Sequence, residues 1–115
     1  APITDYARAL KLQLTFRRDM ERLLKSSGVD ALVMPAVSNV APTAETTGEP
    51  SFQAPWSFSG LPVVSMPCGT AEAKPGRELP VALQLVGGPW QEDALLSTAA
   101  WVEKAIAFTK RPSLA

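Results

Sequence analysis

Two apolar segments, each opened by Leu-Pro and each closed at a glycine, constrain this chain more than any other feature: Leu61-Pro62-Val63-Val64-Ser65-Met66-Pro67-Cys68-Gly69, and Leu79-Pro80-Val81-Ala82-Leu83-Gln84-Leu85-Val86-Gly87-Gly88. Rich in β-branched residues and bounded by turn formers, both read as strands. The stretch from Thr70 to Glu78, with Lys74, Pro75, Gly76 and Arg77 at its tip, is predicted to be a polar connection joining two neighbouring antiparallel strands. A proline at each strand's start removes a ladder donor where a sheet can best spare one.

The 115 residues allow one domain, taken as 1–115, with a modest core. Eleven prolines are many, yet most punctuate the edges of apolar segments, which is the pattern of a folded α/β chain and not of a disordered tract. Eleven Lys and Arg balance eleven Asp and Glu, so nothing electrostatic recommends a nucleic acid or an anionic membrane as partner. No apolar run approaches the roughly 20 residues that span a bilayer, and no signal peptide is recognisable in the opening Ala-Pro-Ile-Thr-Asp. A single cysteine cannot form an internal disulfide, which suits a reducing cytoplasm.

Thr4-Asp5 can cap a first helix, in which Tyr6, Ala9, Leu12, Phe16, Met20, Leu23 and Leu24 recur mostly at steps of three and four. The helix is predicted from Asp5 to Ser27, amphipathic, lying on a core and stopped by Gly28, with its basic face in solvent. Ala31 to Met34 is a short apolar run before Pro35, predicted as a strand buried on both faces. From Ala36 to Pro55 periodicity disappears into Ser, Asn, Pro, Thr, Gly and Glu, and a loop this long inside a compact domain is a functional or mobile one. The aromatics Phe52, Trp56 and Phe58 gather just before Gly60, and aromatics near strands are more often core. A last helix is predicted from Glu92 to Phe108, with Glu92 and Asp93 at the positive end of its dipole. It carries two apolar stripes, Leu95/Ala99/Val102/Ile106 and Ala94/Trp101/Ala105/Phe108, and so wants cover on both sides. Lys110 to Ala115 reads as a polar tail.

Gly60-Leu61-Pro62, Ser65-Met66-Pro67-Cys68-Gly69 and Leu79-Pro80-Val81-Ala82-Leu83-Gln84-Leu85-Val86-Gly87 together resemble the C-terminal end of the amidase signature hydrolases. Asp30-Ala31-Leu32-Val33-Met34-Pro35 before a Thr/Pro-rich loop, and Glu92-Asp93-Ala94-Leu95-Leu96 opening a helix, stand in the family's order. Ala82 replaces a usual Gly, and Ser57-Phe58-Ser59 an Asn-Leu-Thr-like triplet, which bears on the subfamily. The resemblance implies an α/β fold: one edge of a mixed sheet, three strands and two long helices being in this chain. It also implies a short helix at Trp56 beside the acyl pocket. Ser38, Thr43, Phe52 and Trp56 are then the candidate substrate-cleft residues.

The activity implied is hydrolysis of the C–N bond of a linear carboxylic amide by a Ser-Ser-Lys triad. One serine attacks, a second relays protons, a neutral lysine is the base, and backbone amides hold the oxyanion. The family carries these groups in a Gly-Ser-Ser-Gly-rich region and at a lysine further upstream, and neither occurs in these residues, so no catalytic residue is assigned. Lys25-Ser26-Ser27-Gly28 contains the same residue types, but helix-end chemistry already accounts for them. With no histidine there is no Ser-His-Asp or Cys-His pair, and no zinc-ligand set; no metal or cofactor is called for. Cys68 reads as a small apolar residue, since no histidine or helix N-terminus is evident to hold a thiolate. The expected partners are the remainder of an amidase polypeptide and a small amide substrate, with a homodimer left open. The alternatives are a non-catalytic interaction module presenting Trp101 and Phe108, and part of a transfer-RNA-dependent amidotransferase A-type subunit.

Overall fold

The computed structural model describes residues 2–112 and is an α/β arrangement of six elements: α1 (Ile3–Ser27), β1 (Leu32–Pro35), α2 (Ala54–Ser59), β2 (Val63–Lys74), β3 (Arg77–Val86) and α3 (Glu92–Ile106). The strands form one antiparallel sheet in the order β1-β3-β2.

The polar stretch between the Leu-Pro segments is mostly strand and not a loop. β2 runs on to Lys74 and β3 starts at Arg77, so the turn is confined to Pro75-Gly76, with Gly76 at φ 77°. A two-residue hairpin needs a positive φ, and this glycine supplies one. Pairs such as Ala71↔Leu79 and Glu72↔Glu78 continue the ladder although Ala71, Glu72 and Glu78 are small or charged, because the tight turn fixes register without a buried face. Pro62 stands just ahead of β2, as expected, and its carbonyl accepts the Gly87 N–H at 3.0 Å. Pro80 lies inside β3. Ala82, two residues on, turns its carbonyl to the Ala36 N–H at 3.0 Å, so the donor missing at Pro80 faces the same side, where β1 no longer reaches.

Register sorts the sheet's faces. Val64 pairs with Leu85 and Met66 with Leu83, and these four side chains meet Leu95, Ala99, Val102 and Ile106 of α3 in the main core. Val63 pairs with Val86 and Ser65 with Gln84 on the opposite face, which looks toward α2. With layers on both faces, β3 can be apolar almost throughout, and Leu85 and Val86 are buried. β1 is covered only on one face: its exposure alternates, and Val33 is 63% exposed, so the expectation of burial on both faces does not hold for this edge strand.

The first helix begins at Ile3 behind Pro2, without a side-chain cap, so Thr4 and Asp5 lie in its first turn. It ends at Gly28, whose φ of 69° is the left-handed stop expected of it. Only part of its stripe packs. Phe16 meets Phe58 of α2 with ring centroids 6.2 Å apart, and Leu24 is buried beside Gly88, whereas Tyr6, Leu12 and Leu23 are exposed. The other end of the chain differs from expectation in length: α3 stops at Ile106 because Ala107 turns left-handed, and Phe108 lies beyond it. Its first stripe faces the sheet, while Ala94, Trp101 and Ala105 of the second are exposed. The tail is not free at its start, since the Lys110 ammonium pairs with Glu78 at 3.2 Å; residues 113–115 lie outside those described.

Candidate functional site

The sheet face turned away from α3 is roofed by α2, and between them lies a cleft of about 420 Å³. Its apolar wall is made by Ala36, Leu61, Val63 and the indole of Trp56; Gln53, Ser57, Ser65 and Gln84 supply its polar groups. Each is there for a local reason. α2 opens on Ala54-Pro55, with proline in the first turn where its missing donor is harmless, and closes on Gly60 in the left-handed region. That single turn and a half places Trp56 over the sheet and Phe58 against α1. The indole Nε1–H of Trp56 donates to the Met34 sulfur on β1 at 3.2 Å, and the serine that closes α2, Ser59, is buried with its hydroxyl on the Trp56 carbonyl at 3.3 Å.

Gln84 is the buried polar side chain of the site. It sits at 3% exposure, third from the end of the central strand, and its Nε2 donates to the Phe52 carbonyl. Gln53 makes a matching contact, Nε2 to the Ala36 carbonyl at 3.3 Å. The first amide fastens the end of the irregular segment 36–53 to β3 and the second ties the two ends of that segment together, as buried polar groups require partners. Among the described residues no charged side chain lines the cleft.

Of the residues singled out from sequence, Trp56 is in the cleft wall, and Phe52 meets it through the backbone carbonyl that holds Gln84. Ser38 and Thr43 lie exposed on the loop that leaves Ala36, and neither is among the lining residues. Sequence reasoning misses Gln84, Gln53, Ser57 and Ser65. Gln84 does carry a signal, an amide within an otherwise apolar strand, whereas the other three look like ordinary loop, helix and edge-strand residues.

The Lys25-Ser26-Ser27 cluster lies at the far end of α1. The Lys25 ammonium pairs with Glu21 at 3.2 Å and its side chain is 78% exposed, while Ser26 and Ser27 donate to the Leu23 and Leu24 carbonyls at 3.4 Å. Cys68 is the extra residue of a bulge between Pro67 and Gly69, its thiol directed to the Val81 carbonyl at 3.6 Å. The described residues contain no group of three potential metal ligands, and no helix among them is long and apolar enough to cross a membrane.

The chain is 35% identical to the A subunit of glutamyl-tRNA(Gln) amidotransferase from Ruegeria pomeroyi, over 94% of this chain and 23% of that protein. Proteins of the same name from Cereibacter sphaeroides and Granulibacter bethesdensis are 34% and 32% identical, over 93% and 95% of this chain and 23% and 22% of their own. The chain therefore spans less than a quarter of the length of these relatives. No solved structure gives a significant match. The family model described as Amidase matches residues 3–96, which is most of the chain: it belongs to the amidase family.

Proposed function

We propose that this chain is the C-terminal segment of an amidase-type hydrolase of linear carboxylic amides, and that the cleft beside α2 is one wall of its acyl pocket. The observation that carries the reading is Trp56, fastened to Met34 over a cleft of apolar and neutral polar groups, in a chain of the amidase family. A pocket of this kind does three things for acyl transfer. It desolvates the acyl group, it holds the carbonyl in one orientation, and it keeps water from the reacting carbon until the amine has left. The nucleophilic serine, the proton-relaying serine and the lysine base would come from residues outside this chain, so the segment alone is inactive. Ser38 and Thr43 enter the proposal as residues of the loop that springs from the cleft wall at Ala36, and Phe52 as the residue whose carbonyl holds Gln84. The cytoplasm is the proposed compartment.

A second reading is favoured by the names of the relatives: an A-type subunit of a transfer-RNA-dependent amidotransferase. Intact mass and ammonia release from simple amides, measured on the same purified protein, test the first. Steady ammonia release without other subunits is the expected result. Release that requires co-purifying subunits and a glutamyl-transfer RNA would replace the hydrolase by the amidotransferase, and release by the 115-residue chain alone would refute the placing of the triad elsewhere.

A further inference from the structure

From Ala82 outward the hairpin of β2 and β3 has no third strand beside it, since β1 pairs only with Leu83–Val86. A two-stranded ribbon is marginal in water by itself, and the chain that follows α3 gives it support. Ala107 turns left-handed, Phe108 is half-buried, and the Lys110 ammonium reaches Glu78 at 3.2 Å. Ribbon and tail do not close on one another. A pocket of about 520 Å³ remains between them, larger than the cleft beside α2, and both contribute its walls.

Its lining is of two kinds. Pro67 and Pro80 on the ribbon and the Phe108 ring on the tail are apolar, and a flat ring packs well on such surfaces. The polar members are Thr70, Glu78, Lys110 and Arg111. Thr70 and Lys110 each donate one proton to the same oxygen, Oε2 of Glu78, at 2.9 and 3.2 Å. The Lys110 ammonium keeps two further donors, and Arg111, which stands in no ion pair among the described residues, brings a guanidinium fork. Two cations against one carboxylate make the pocket positive. Apolar and aromatic walls with a few convergent polar groups are the make-up of small-molecule sites, and the volume falls within their usual range of about 300–1,000 Å³. A guanidinium meets a planar carboxylate through two parallel N–H···O bonds, which fixes orientation as well as charge.

We propose that the pocket between the hairpin and the tail is a binding site for a carboxylate borne on a flat apolar body, with Phe108 supporting the ring and Arg111 holding the anion. Neither residue lines the cleft beside α2, so binding here is expected whatever reaction the whole protein performs.

The test is calorimetric titration of the intact protein with 2-naphthoate, with 2-naphthylmethanol as the uncharged analogue and acetate as the anion without a ring. 2-Naphthoate is expected to bind at least about tenfold more tightly than either, the order of difference made by one lost charged or aromatic contact. Its affinity should fall as salt is raised, because Arg111 is exposed. Arg111→Gln, a surface change that leaves the apolar walls in place, should weaken 2-naphthoate by about tenfold, and Arg111→Lys should restore part of the loss. Phe108→Ala should weaken it by a similar factor; Phe108→Leu, which keeps an apolar side chain under the tail, should weaken it less and guards against a displaced tail in the alanine variant. The Thr70 methyl resonance should shift during the titration, which locates the ligand. No binding by the intact protein, equal binding of 2-naphthylmethanol, an affinity unchanged in Arg111→Gln, or a Thr70 methyl that stays in place while 2-naphthoate binds would each overturn the site.

Discussion

The indole N–H of Trp56 and the sulfur of Met34 meet at 3.2 Å across the gap between α2 and the edge strand β1. Met34 is thereby the support on which the cleft wall stands, although it contributes nothing to the lining itself. Methionine suits the place, being able to fill an irregular gap and accept a weak hydrogen bond at once. Met34→Leu keeps the volume and removes the acceptor. It should lower stability by about 0.5–1 kcal/mol, the usual net worth of one such contact, and broaden the orientation of the indole. Urea unfolding and Trp56 side-chain NMR check both; an unchanged indole N–H resonance would show that the sulfur does not hold the ring.

The core between α3 and the sheet turns on Leu95, which is 2% exposed and occupies the space that a Cβ would enter at Gly87, just past the end of β3. Leu95→Ala should cost about 2–5 kcal/mol, the range for a leucine removed from a filled core. Gly87→Ala attacks the same contact from the other side, since a Cβ there would lie 3.3 Å from the Leu95 Cβ, an atom fixed to the helix backbone. A loss of about 1–3 kcal/mol is expected in denaturant titrations of the intact protein.

Helix α3 ends on a residue poorly suited to the task. Ala107 takes φ 54° to cap it, its N–H on the Glu103 carbonyl at 3.0 Å. Ala107→Gly removes the clash of Cβ with the following carbonyl and should raise stability by about 1 kcal/mol, read as a higher unfolding midpoint at unchanged denaturant slope.

Glu78 links the hairpin to the tail. The Thr70 hydroxyl donates to its carboxylate at 2.9 Å and the Lys110 ammonium at 3.2 Å; the Thr70 bond, then Lys110, hold its pKa below the ordinary carboxylate value. A carboxylate whose folded pKa is depressed stabilises the folded form above its unfolded pKa, and that contribution disappears as pH falls through the folded value. The group is exposed, so the effect is a small acid-side one. Thr70→Val and Lys110→Met should each move the Glu78 carboxyl titration upward by NMR; a titration that stays in place in Thr70→Val would show that the hydroxyl does not hold the carboxylate.

Trp101 is 72% exposed on the outer side of α3. In the segment alone, Trp101→Ala should leave stability within about 0.5 kcal/mol, as surface substitutions do. In the intact protein the same change should weaken docking of this segment by more than about 1 kcal/mol, as removal of a buried aromatic anchor does. Equal losses in the two settings would mean that nothing covers this face.

What the sequence determined by itself was everything written in local chemistry. The Leu-Pro-opened apolar runs specified β2 and β3, the leucine and alanine spacing from Leu95 specified the buried side of α3, and Gly28 specified the end of α1. The family motifs, being contiguous, were legible in the same way. Only the tertiary structure decided how far β2 and β3 run, because polar residues such as Thr70 and Glu78 join a ladder through backbone pairing and a tight turn that composition does not reveal. It alone decided that the α1 stripe packs only in its later turns, since periodicity says which side of a helix is apolar but not whether anything lies against it. The cleft is of the same kind. Gln84, Gln53 and Trp56 come from separate stretches of chain, and what joins them is the pairing of β1 with β3 and the seating of α2 on that pair, neither of which leaves a mark at short range in the sequence.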